Sequence, residues 1–270
     1  MQFNSSQPIG IFDSGIGGLT VAKALIETLP NENIIYFGDT AHCPWGDKSQ
    51  EVIQNYALKI TKMLLDKKCK LVLIACNTAS AAAFDLLKAQ FGEQVLMLNV
   101  IDPVVDLLAK KYSNKNVGLI ATKLTVNSKV YDAKIADRQV GITLHSQATP
   151  LLTMAIEEGF YQHDIIDNLL KIYLSDSNLN NIDALVLACT HYPLVKDKIR
   201  AFYKNKVDII DASMTVATVA RELLAKHNLL HVGSKTLQHF YISDYTPSFA
   251  DSARQFFGSD VVIEYYPLWK

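Results

Sequence analysis

Two of the four cysteines, Cys76 and Cys189, combine a reactive side chain with a position that suits catalysis. Each follows a short aliphatic run and precedes polar residues, at 77–78 in one case and 190–191 in the other. An unperturbed thiol has a pKa of ~8.5, which a helix N-terminus or a protonated histidine lowers. Such a thiol can take or give a proton near neutral pH. The pair therefore predicts reversible proton transfer on two faces of one substrate.

The alternative is that both cysteines are core residues, because free cysteine is among the most buried residue types. The polar residues that follow each cysteine favour a functional site, since loops at strand ends commonly carry functional residues. His191, two residues after Cys189, adds a group that can stabilise a thiolate. Both cysteines precede predicted helices, whose first backbone amides can stabilise a thiolate or a substrate carboxylate.

The elements that must position these residues alternate along the chain. Short β-branched or aliphatic runs alternate with longer amphipathic stretches, which is typical of βαβ units and mostly parallel sheets. The predicted strands are Ile9 to Phe12, Ile34 to Phe37, Lys70 to Ala75, Val95 to Asn99, Val117 to Ala121, Gly141 to Leu144, Ala184 to Ala188, Val207 to Ile210 and Leu237 to Ile242. The predicted helices include Leu19 to Leu29, Ser49 to Lys67, Ala79 to Phe91, Thr125 to Ala136 and Thr215 to His227.

The two halves of the chain repeat this pattern. Residues 9–14 align with 117–122, and residues 71–78 align with 184–191, so each cysteine follows an equivalent strand. The cysteine lies 62 residues after the end of the first segment in one half, from Ser14 to Cys76. In the other half the interval is 67 residues, from Thr122 to Cys189. We therefore predict an α/β fold of two similar domains, each a mostly parallel sheet flanked by helices.

The repeat also predicts where a ligand binds. Open parallel sheets bind ligands at the carboxyl ends of their strands, so two facing domains would place one thiol on each side of a shared cleft. We expect the active site in that cleft. The first domain is expected to comprise residues 1–98 and 209–270 and the second residues 99–208, so the chain crosses twice. Hinge closure of such a cleft would exclude water from the reaction.

A glycine-rich turn at 15–18 follows Asp13 and Ser14 and could cradle an anion. It resembles a dinucleotide-binding fingerprint, but that motif needs glycine where this chain has Thr20. Asp39, at the end of the second predicted strand, would bind the ribose in that alternative. A nucleotide-binding protein is therefore one alternative that this segment leaves open.

A metal site is a second alternative, because Cys189, His191, His42 and Cys43 are ligand types that zinc accepts. Zinc sites usually show a closely spaced pair such as C-x-x-C with a second matching pair, which this set lacks. A metal bound there would also leave Cys76 unexplained. We expect no metal.

The composition narrows the class of protein. The chain has 270 residues with a formal net charge of -1 and no basic block, so we expect no nucleic-acid or anionic-lipid partner. Its apolar runs are shorter than the roughly 20 residues of a membrane span, and its N-terminal segment lacks the features of a secretory signal. These features predict a cytoplasmic protein with no membrane contact, whose cysteines are free thiols.

Five segments together match one known family. They are FDSGIGGLTV, YFGDTAHCPWG, LIACNTASA, ATPLL with a following EEG, and LACTHYPL. In order and spacing, over almost the entire chain, they resemble glutamate racemase of the aspartate/glutamate racemase superfamily. The resemblance implies interconversion of L- and D-glutamate without pyridoxal phosphate, metal or other cofactor. It also implies supply of D-glutamate for peptidoglycan in a bacterial cytoplasm, by a homodimer.

The resemblance further implies roles for individual residues. Cys76 and Cys189 match the two catalytic cysteines, the first serving D-glutamate and the second L-glutamate. Asp13 and His191 match polar residues that assist the nearer thiols, and Glu157 matches a further acidic residue at the cleft. The substrate-binding positions are matched by Asp13, Ser14, Trp45, Gly46, Asn77, Thr78, Thr190 and His191, with Thr122 added by the internal repeat.

The chain departs from the family at Trp45, where Pro-Tyr-Gly is common. A backbone contact would be unaffected, whereas an indole cannot accept a hydrogen bond as a tyrosine hydroxyl does. Cys43 and Cys69 match no catalytic position and are expected in packing or loop roles, and His42 is expected to be a loop residue.

The sequence leaves two other functions open. Aspartate racemase shares the chemistry but resembles this chain less. A binding or regulatory protein could keep the fold without turnover, because fold does not by itself imply function.

Overall fold

The strands form two separate parallel sheets. The computed structural model describes residues 4–233, 236–245, 253–258 and 261–270. The strands are β1 (Ile9–Asp13), β2 (Ile34–Gly38), β3 (Leu71–Ile74), β4 (Leu96–Asn99), β5 (Asn116–Ala121), β6 (Thr143–Ala148), β7 (Ala184–Ala188), β8 (Asp208–Asp211), β9 (Gln238–Ile242) and β10 (Ile263–Tyr265). One sheet has the order β10-β9-β2-β1-β3-β4 and the other β6-β5-β7-β8, and the paired strands run parallel.

Helices connect these parallel strands. They are α1 (Leu19–Thr28), α2 (Gln50–Asp66), α3 (Asn77–Phe91), α4 (Ile101–Lys111), α5 (Lys123–Asn127), α6 (Val130–Asp137), α7 (Pro150–Glu157), α8 (Asp164–Leu174), α9 (Lys196–Phe202) and α10 (Ser213–Lys226). The predicted α/β class, with two similar sheets flanked by helices, is confirmed. Among the described residues, no helix is both long and apolar enough to cross a membrane.

The internal repeat predicted from the sequence corresponds to one strand order used twice. In the first sheet β1 lies between β2 and β3, with β4 beyond β3; in the second, β5 lies between β6 and β7, with β8 beyond β7. β1 is therefore equivalent to β5, and β3 to β7. The strands that precede the two cysteines occupy the same place in their sheets.

Both faces of the central strands are buried, which explains their unbroken apolar sequences. Ile9 and Ile11 pack into one hydrophobic cluster and Phe12 into another, because successive side chains of a strand point to opposite faces. Helices α1 and α10 pack against each other, as do α2 and α3. The sheet is thus held between helical layers, which fixes the positions of its strand ends.

Three details of the chain differ from the sequence-based expectations. β6 begins at Thr143 rather than at Gly141, whose φ of +67° is incompatible with an extended strand. The helix expected over residues 125–136 is divided into α5 and α6 by Lys129, which has a φ of +56°. β8 pairs with β7, so a domain boundary at residue 208 would cut the second sheet. We propose that the chain returns to the first domain after Asp211.

Candidate active site

The predicted site residues converge where the strands of the two sheets end. They surround a narrow cavity of ≈ 10 Å³, far smaller than the roughly 300–1,000 Å³ of ordinary small-molecule sites, so the two walls lie close together in this arrangement. The cavity is lined by Ser14, Pro44, Trp45, Gly46, Cys76, Asn77, Thr78, Thr122, Thr153, Cys189, Thr190 and His191. Asp13 and Glu157 lie behind this lining and hydrogen-bond to it.

Cys76 is the N-cap residue of α3 and is buried. Its Sγ accepts a hydrogen bond from the backbone N–H of Ala79 at 3.4 Å and lies 3.6 Å from Ser14 Oγ. Burial and the negative charge of Asp13 raise the pKa of the Cys76 thiol to about 12, although its hydrogen bonds with the Ala79 N–H and with Ser14 act in the opposite direction. The thiol is therefore protonated at neutral pH in this arrangement of the site.

Cys189 follows β7 and is also buried, but a histidine and a carboxylate stand beside it. Cys189 Sγ lies 3.6 Å from His191 Nδ1 and 3.5 Å from Thr153 Oγ1. The other ring nitrogen, His191 Nε2, donates to Glu157 Oε1 at 2.8 Å. The imidazole thus spans the gap between a thiol and a carboxylate, an arrangement that fixes its orientation.

The His191 and Glu157 side chains favour each other's charged form. Burial alone would lower the pKa of His191, but the charge of Glu157 and hydrogen bonds to Cys189 and Glu157 raise it well above its usual range. Burial alone would raise the pKa of Glu157, but the charge of His191 and hydrogen bonds from His191 and Cys43 lower it. The two side chains therefore form an ion pair at neutral pH, next to Cys189.

Asp13 organises the glycine turn that follows β1. One carboxylate oxygen accepts from the backbone N–H groups of Gly15 and Gly18, at 3.2 and 3.0 Å. The other accepts from the hydroxyl of Thr190 at 3.4 Å. Burial raises the pKa of Asp13, while the charge of His191 and the two backbone hydrogen bonds oppose that shift. Asp13 therefore links the first strand to the cysteine segment of the other domain.

Side chains from the two domains also meet directly across the cleft. Thr78 Oγ1 and Thr122 Oγ1 lie 2.9 Å apart, each from the end of a strand-to-helix turn in a different domain. The hydroxyl of Tyr131, on α6, donates to Asn77 Oδ1 at 2.8 Å. These bonds fix the polar wall of the cavity in the closed arrangement seen here.

Trp45, at the position where the sequence departs from the related family, is almost fully buried. Its indole N–H donates to Asp39 Oδ2 at 3.2 Å. The other oxygen of Asp39 accepts from the hydroxyl of Ser243 at 2.8 Å and from the indole of Trp269 at 2.8 Å. Asp39 thus anchors the loop that carries Trp45, and its carboxylate does not face the cavity as a ribose-binding acid would.

Each of the four side chains considered as zinc ligands has another hydrogen-bonding partner. His42 Nδ1 contacts the carboxylate of Asp39 at 3.0 Å, and Cys43 Sγ donates to Glu157 at 3.0 Å. Within the described ranges, no group of three or more His, Cys, Asp or Glu residues is arranged to hold a metal ion.

Sequence reasoning did not identify several residues that contact the site. Thr153 lies four residues before Glu157 on α7, and that helical spacing could have indicated a shared face. Tyr131, Cys43 and Phe256 contact Asn77, Glu157 and His191 only through the tertiary fold. The ring of Phe256 packs edge-on against that of His191, with centroids 5.3 Å apart. No local pattern in the sequence signals these three contacts.

The structure has two parallel α/β domains, and each contributes one buried cysteine to a shared cavity. This arrangement defines a class of two-domain enzymes. Comparison with known proteins identifies the family. The sequence model described as Asp/Glu/Hydantoin racemase matches residues 12–220. The chain belongs to this family.

Individual relatives agree with this assignment. The chain is 40% identical to the glutamate racemase of Chlorobaculum parvum, over 96% of each chain, and 39% identical to that of Neisseria gonorrhoeae, over 93% of each. Among solved structures, it is similar to glutamate racemase from Francisella tularensis in complex with D-glutamate, with a TM-score of 0.92 and 37% identity over 98% of this chain and 99% of that one. It is also similar to glutamate racemase from Thermus thermophilus in complex with β-chloro-D-alanine, with a TM-score of 0.86 and 31% identity over 97% and 98% of the two chains.

Proposed function

We propose that this chain interconverts L- and D-glutamate with two thiols, one removing the α-proton and the other delivering its own proton to the opposite face, without pyridoxal phosphate or a metal. The observation that carries the proposal is the pairing of Cys76 and Cys189, which follow equivalent strands of different domains and line one cavity. Glutamate as substrate is supported by the likeness, over nearly the whole chain, to proteins named glutamate racemase.

In this mechanism one cysteine removes the α-proton as a thiolate, and the other protonates the opposite face as a thiol. Cys189 takes the proton from L-glutamate and Cys76 takes it from D-glutamate, so the two roles exchange with direction. The raised pKa of Cys76 fits its role as the acid for L-glutamate. In the reverse direction, a substrate ammonium group near Asp13 would offset the negative charge that disfavours the Cys76 thiolate.

The remaining residues bind the substrate or hold the thiols. Asp13 and the His191–Glu157 ion pair assist the nearer cysteines, and polar groups that line the cavity bind the substrate. These groups belong to Ser14, Trp45, Gly46, Asn77, Thr78, Thr122 and Thr190. The cavity walls exclude water, which protects a carbanion-like transition state from the solvent.

The biological role we propose is the supply of D-glutamate for peptidoglycan, in the cytoplasm, by a homodimer. Its support is the resemblance to glutamate racemases of bacteria such as Neisseria gonorrhoeae. Light scattering after size-exclusion chromatography measures the assembly directly. For a dimer we expect a molar mass of twice the 30.0 kDa of one chain. A molar mass of one chain at the protein concentration of the assay would contradict the dimer.

The proposed activity is tested with purified protein, L-glutamate and no added cofactor, followed by circular dichroism. Decay of the signal to zero at unchanged glutamate concentration is the expected result, because the two enantiomers are equally stable. A parallel reaction with L-aspartate separates the two substrates. Turnover of aspartate alone would move the substrate assignment, and inactivity with both would favour a binding protein that keeps the racemase fold.

A further inference from the structure

The carboxylate of Glu157 accepts two hydrogen bonds at the same oxygen. His191 Nε2 lies 2.8 Å from Oε1, and the thiol of Cys43 donates to it at 3.0 Å. Cys43 belongs to the first domain, in the loop after β2, whereas Glu157 ends helix α7 in the second domain. A third cysteine therefore holds the carboxylate that pairs with the histidine beside Cys189.

The fold leaves room for this contact at Gly15. A Cβ atom on residue 15 would lie 2.8 Å from Cys43 Sγ, closer than real Cβ atoms come to a neighbour, and 3.1 Å from Glu157 Oε1, which is a tight contact. The glycine therefore lets the thiol and the carboxylate meet beneath the turn that follows β1. Since any larger residue would displace one of the two, the contact is part of the site's construction.

We propose that Cys43 is a positioning residue for the half of the reaction that Cys189 performs. Its S–H group fixes the carboxylate of Glu157, which in turn fixes the ring of His191 so that Nδ1 faces the Cys189 thiol at 3.6 Å. This inference rests on the proposed two-thiol racemisation and adds a residue that the known catalytic pattern does not contain.

Cys43 does not itself exchange protons with the substrate. Burial, followed by the charge of Glu157, raises its pKa well above the usual range of a thiol, so it remains a hydrogen-bond donor. The contacts of Cys76 differ, because Cys76 Sγ meets Ser14 and the backbone of Ala79 instead of a histidine. Loss of the Cys43 thiol should therefore affect the two cysteines unequally.

Racemisation rates alone cannot reveal that inequality. L- and D-glutamate have the same free energy, so kcat/KM must be equal in the two directions for any variant. A substrate that needs only one thiol removes this constraint. In 3-chloroglutamate a single thiolate takes the α-proton, the electron pair forms the Cα=Cβ bond, and chloride leaves. The enamine product then hydrolyses to 2-oxoglutarate and ammonium.

The experiment compares chloride release from the L and D forms at Cα by the wild type, Cys43→Ala and Cys43→Ser. For Cys43→Ala we expect roughly a tenfold lower rate with the L form, which Cys189 serves, and a change of less than about twofold with the D form. Cys43→Ser keeps a donor and should recover part of the loss. Cys69→Ala is the control, since Cys69 is a free thiol that packs against Gly10, away from the cavity; it should leave both rates unchanged.

Each outcome bears on a distinct claim. The positioning role of Cys43 is overturned if Cys43→Ala and Cys43→Ser each lose the rate of chloride release equally for the L and D forms. It is also overturned if neither variant loses rate with either form. Thermal unfolding of each variant shows whether a lower rate comes from misfolding. If Cys43→Ala is misfolded, the comparison of the L and D forms is made with Cys43→Ser. A wild-type protein that releases no chloride from either form and does not racemise glutamate overturns the proposed function itself.

Discussion

The carboxylate of Asp13 and the hydroxyl of Thr190 lie 3.4 Å apart although 177 residues separate them in the chain. Asp13 ends the first strand of one domain, and Thr190 directly follows Cys189 in the other. The bond joins the two repeats at the cleft. Asp13 is also the residue whose charge acts most directly on the Cys76 thiol.

Replacement of Asp13 by asparagine tests this central position. An asparagine side chain has only one acceptor oxygen. It can accept from the Gly15 and Gly18 amides or from the Thr190 hydroxyl, but it cannot serve both sides as the carboxylate does. We expect a fall in kcat of about 10²-fold with an unchanged far-ultraviolet circular dichroism spectrum. Thr190→Val, which removes the hydroxyl alone, should lower kcat less. An Asp13→Asn enzyme with wild-type kcat would remove Asp13 from the mechanism.

Replacement of Gly17 by alanine tests how closely the glycine turn approaches the second domain. The added Cβ would lie 2.6 Å from Thr190 Oγ1 and 2.7 Å from the His191 ring. Displacement of these groups should lower kcat by about 10²-fold. Gly118→Ala is the control: its Cβ would lie 2.7 Å from Ile182 in the core, so it should lower stability but not kcat. Equal kcat values in the two variants would contradict the assigned position of the turn.

Glu157→Gln should change the pH dependence of stability. The raised pKa of His191 contributes stability that is complete below its unfolded pKa of ~6.5 and is lost as pH rises through the folded pKa. The lowered pKa of Glu157 contributes stability that is present above ~4.3 and is lost as pH falls through its folded pKa. The variant should therefore be less stable by about 2 kcal/mol near pH ~6, and by less at strongly alkaline pH.

Urea unfolding of the wild type and Glu157→Gln across that pH range measures this difference. Glu158→Gln is the matched control, because Glu158 is the exposed neighbour of Glu157. A stability difference that stays constant with pH would show that the His191–Glu157 ion pair does not form.

Lys70→Met should destabilise the protein without changing its chemistry. Lys70 is fully buried just before β3, at the end of the sheet opposite the site, where its Nζ binds Glu32 and donates to the carbonyl of Leu229 at 2.8 Å. Burial lowers the pKa of Lys70, and the hydrogen bond and charge of Glu32 oppose that shift. Removing the lysine leaves a buried carboxylate unpaired, which costs about 3–5 kcal/mol.

Urea unfolding gives the loss of stability, and kcat per folded molecule should stay within about twofold of the wild type. Lys62→Met, on an exposed position of α2, is the control and should change stability by less than about 0.5 kcal/mol. A large fall in kcat for Lys70→Met would mean that the two ends of the sheet are coupled.

The sequence predicts the architecture and the ends of the strands well because the central strands are buried on both faces. Such strands appear in the sequence as short apolar runs, and the polar residues that follow Cys76 and Cys189 mark where each run ends. Edge strands are harder to place, as β6 shows. Its residues are partly exposed and mostly polar, so the strand has no apolar run to define its bounds.

The helix break at Lys129 and the contacts of Cys43 were not predictable for a different reason. Lys129 adopts a left-handed conformation although lysine has no special preference for it, so the sequence carries no signal of the break. Cys43 meets Glu157 across 114 residues of chain, and only the packing of the two domains brings them together. Local patterns cannot encode such a contact.

The two-thiol mechanism is tested most directly by racemisation of L-glutamate in D₂O, with both enantiomers separated and analysed by mass at early times. Cys189 should return the original proton to L-glutamate, while Cys76 delivers deuterium from the solvent to the opposite face. We therefore expect deuterium at Cα of nearly all newly formed D-glutamate and almost none in the remaining L-glutamate. In Cys76→Ala and Cys189→Ala racemisation should be lost with the fold retained. D-glutamate that keeps the original proton, or near-normal activity in either variant, would contradict the two-thiol mechanism.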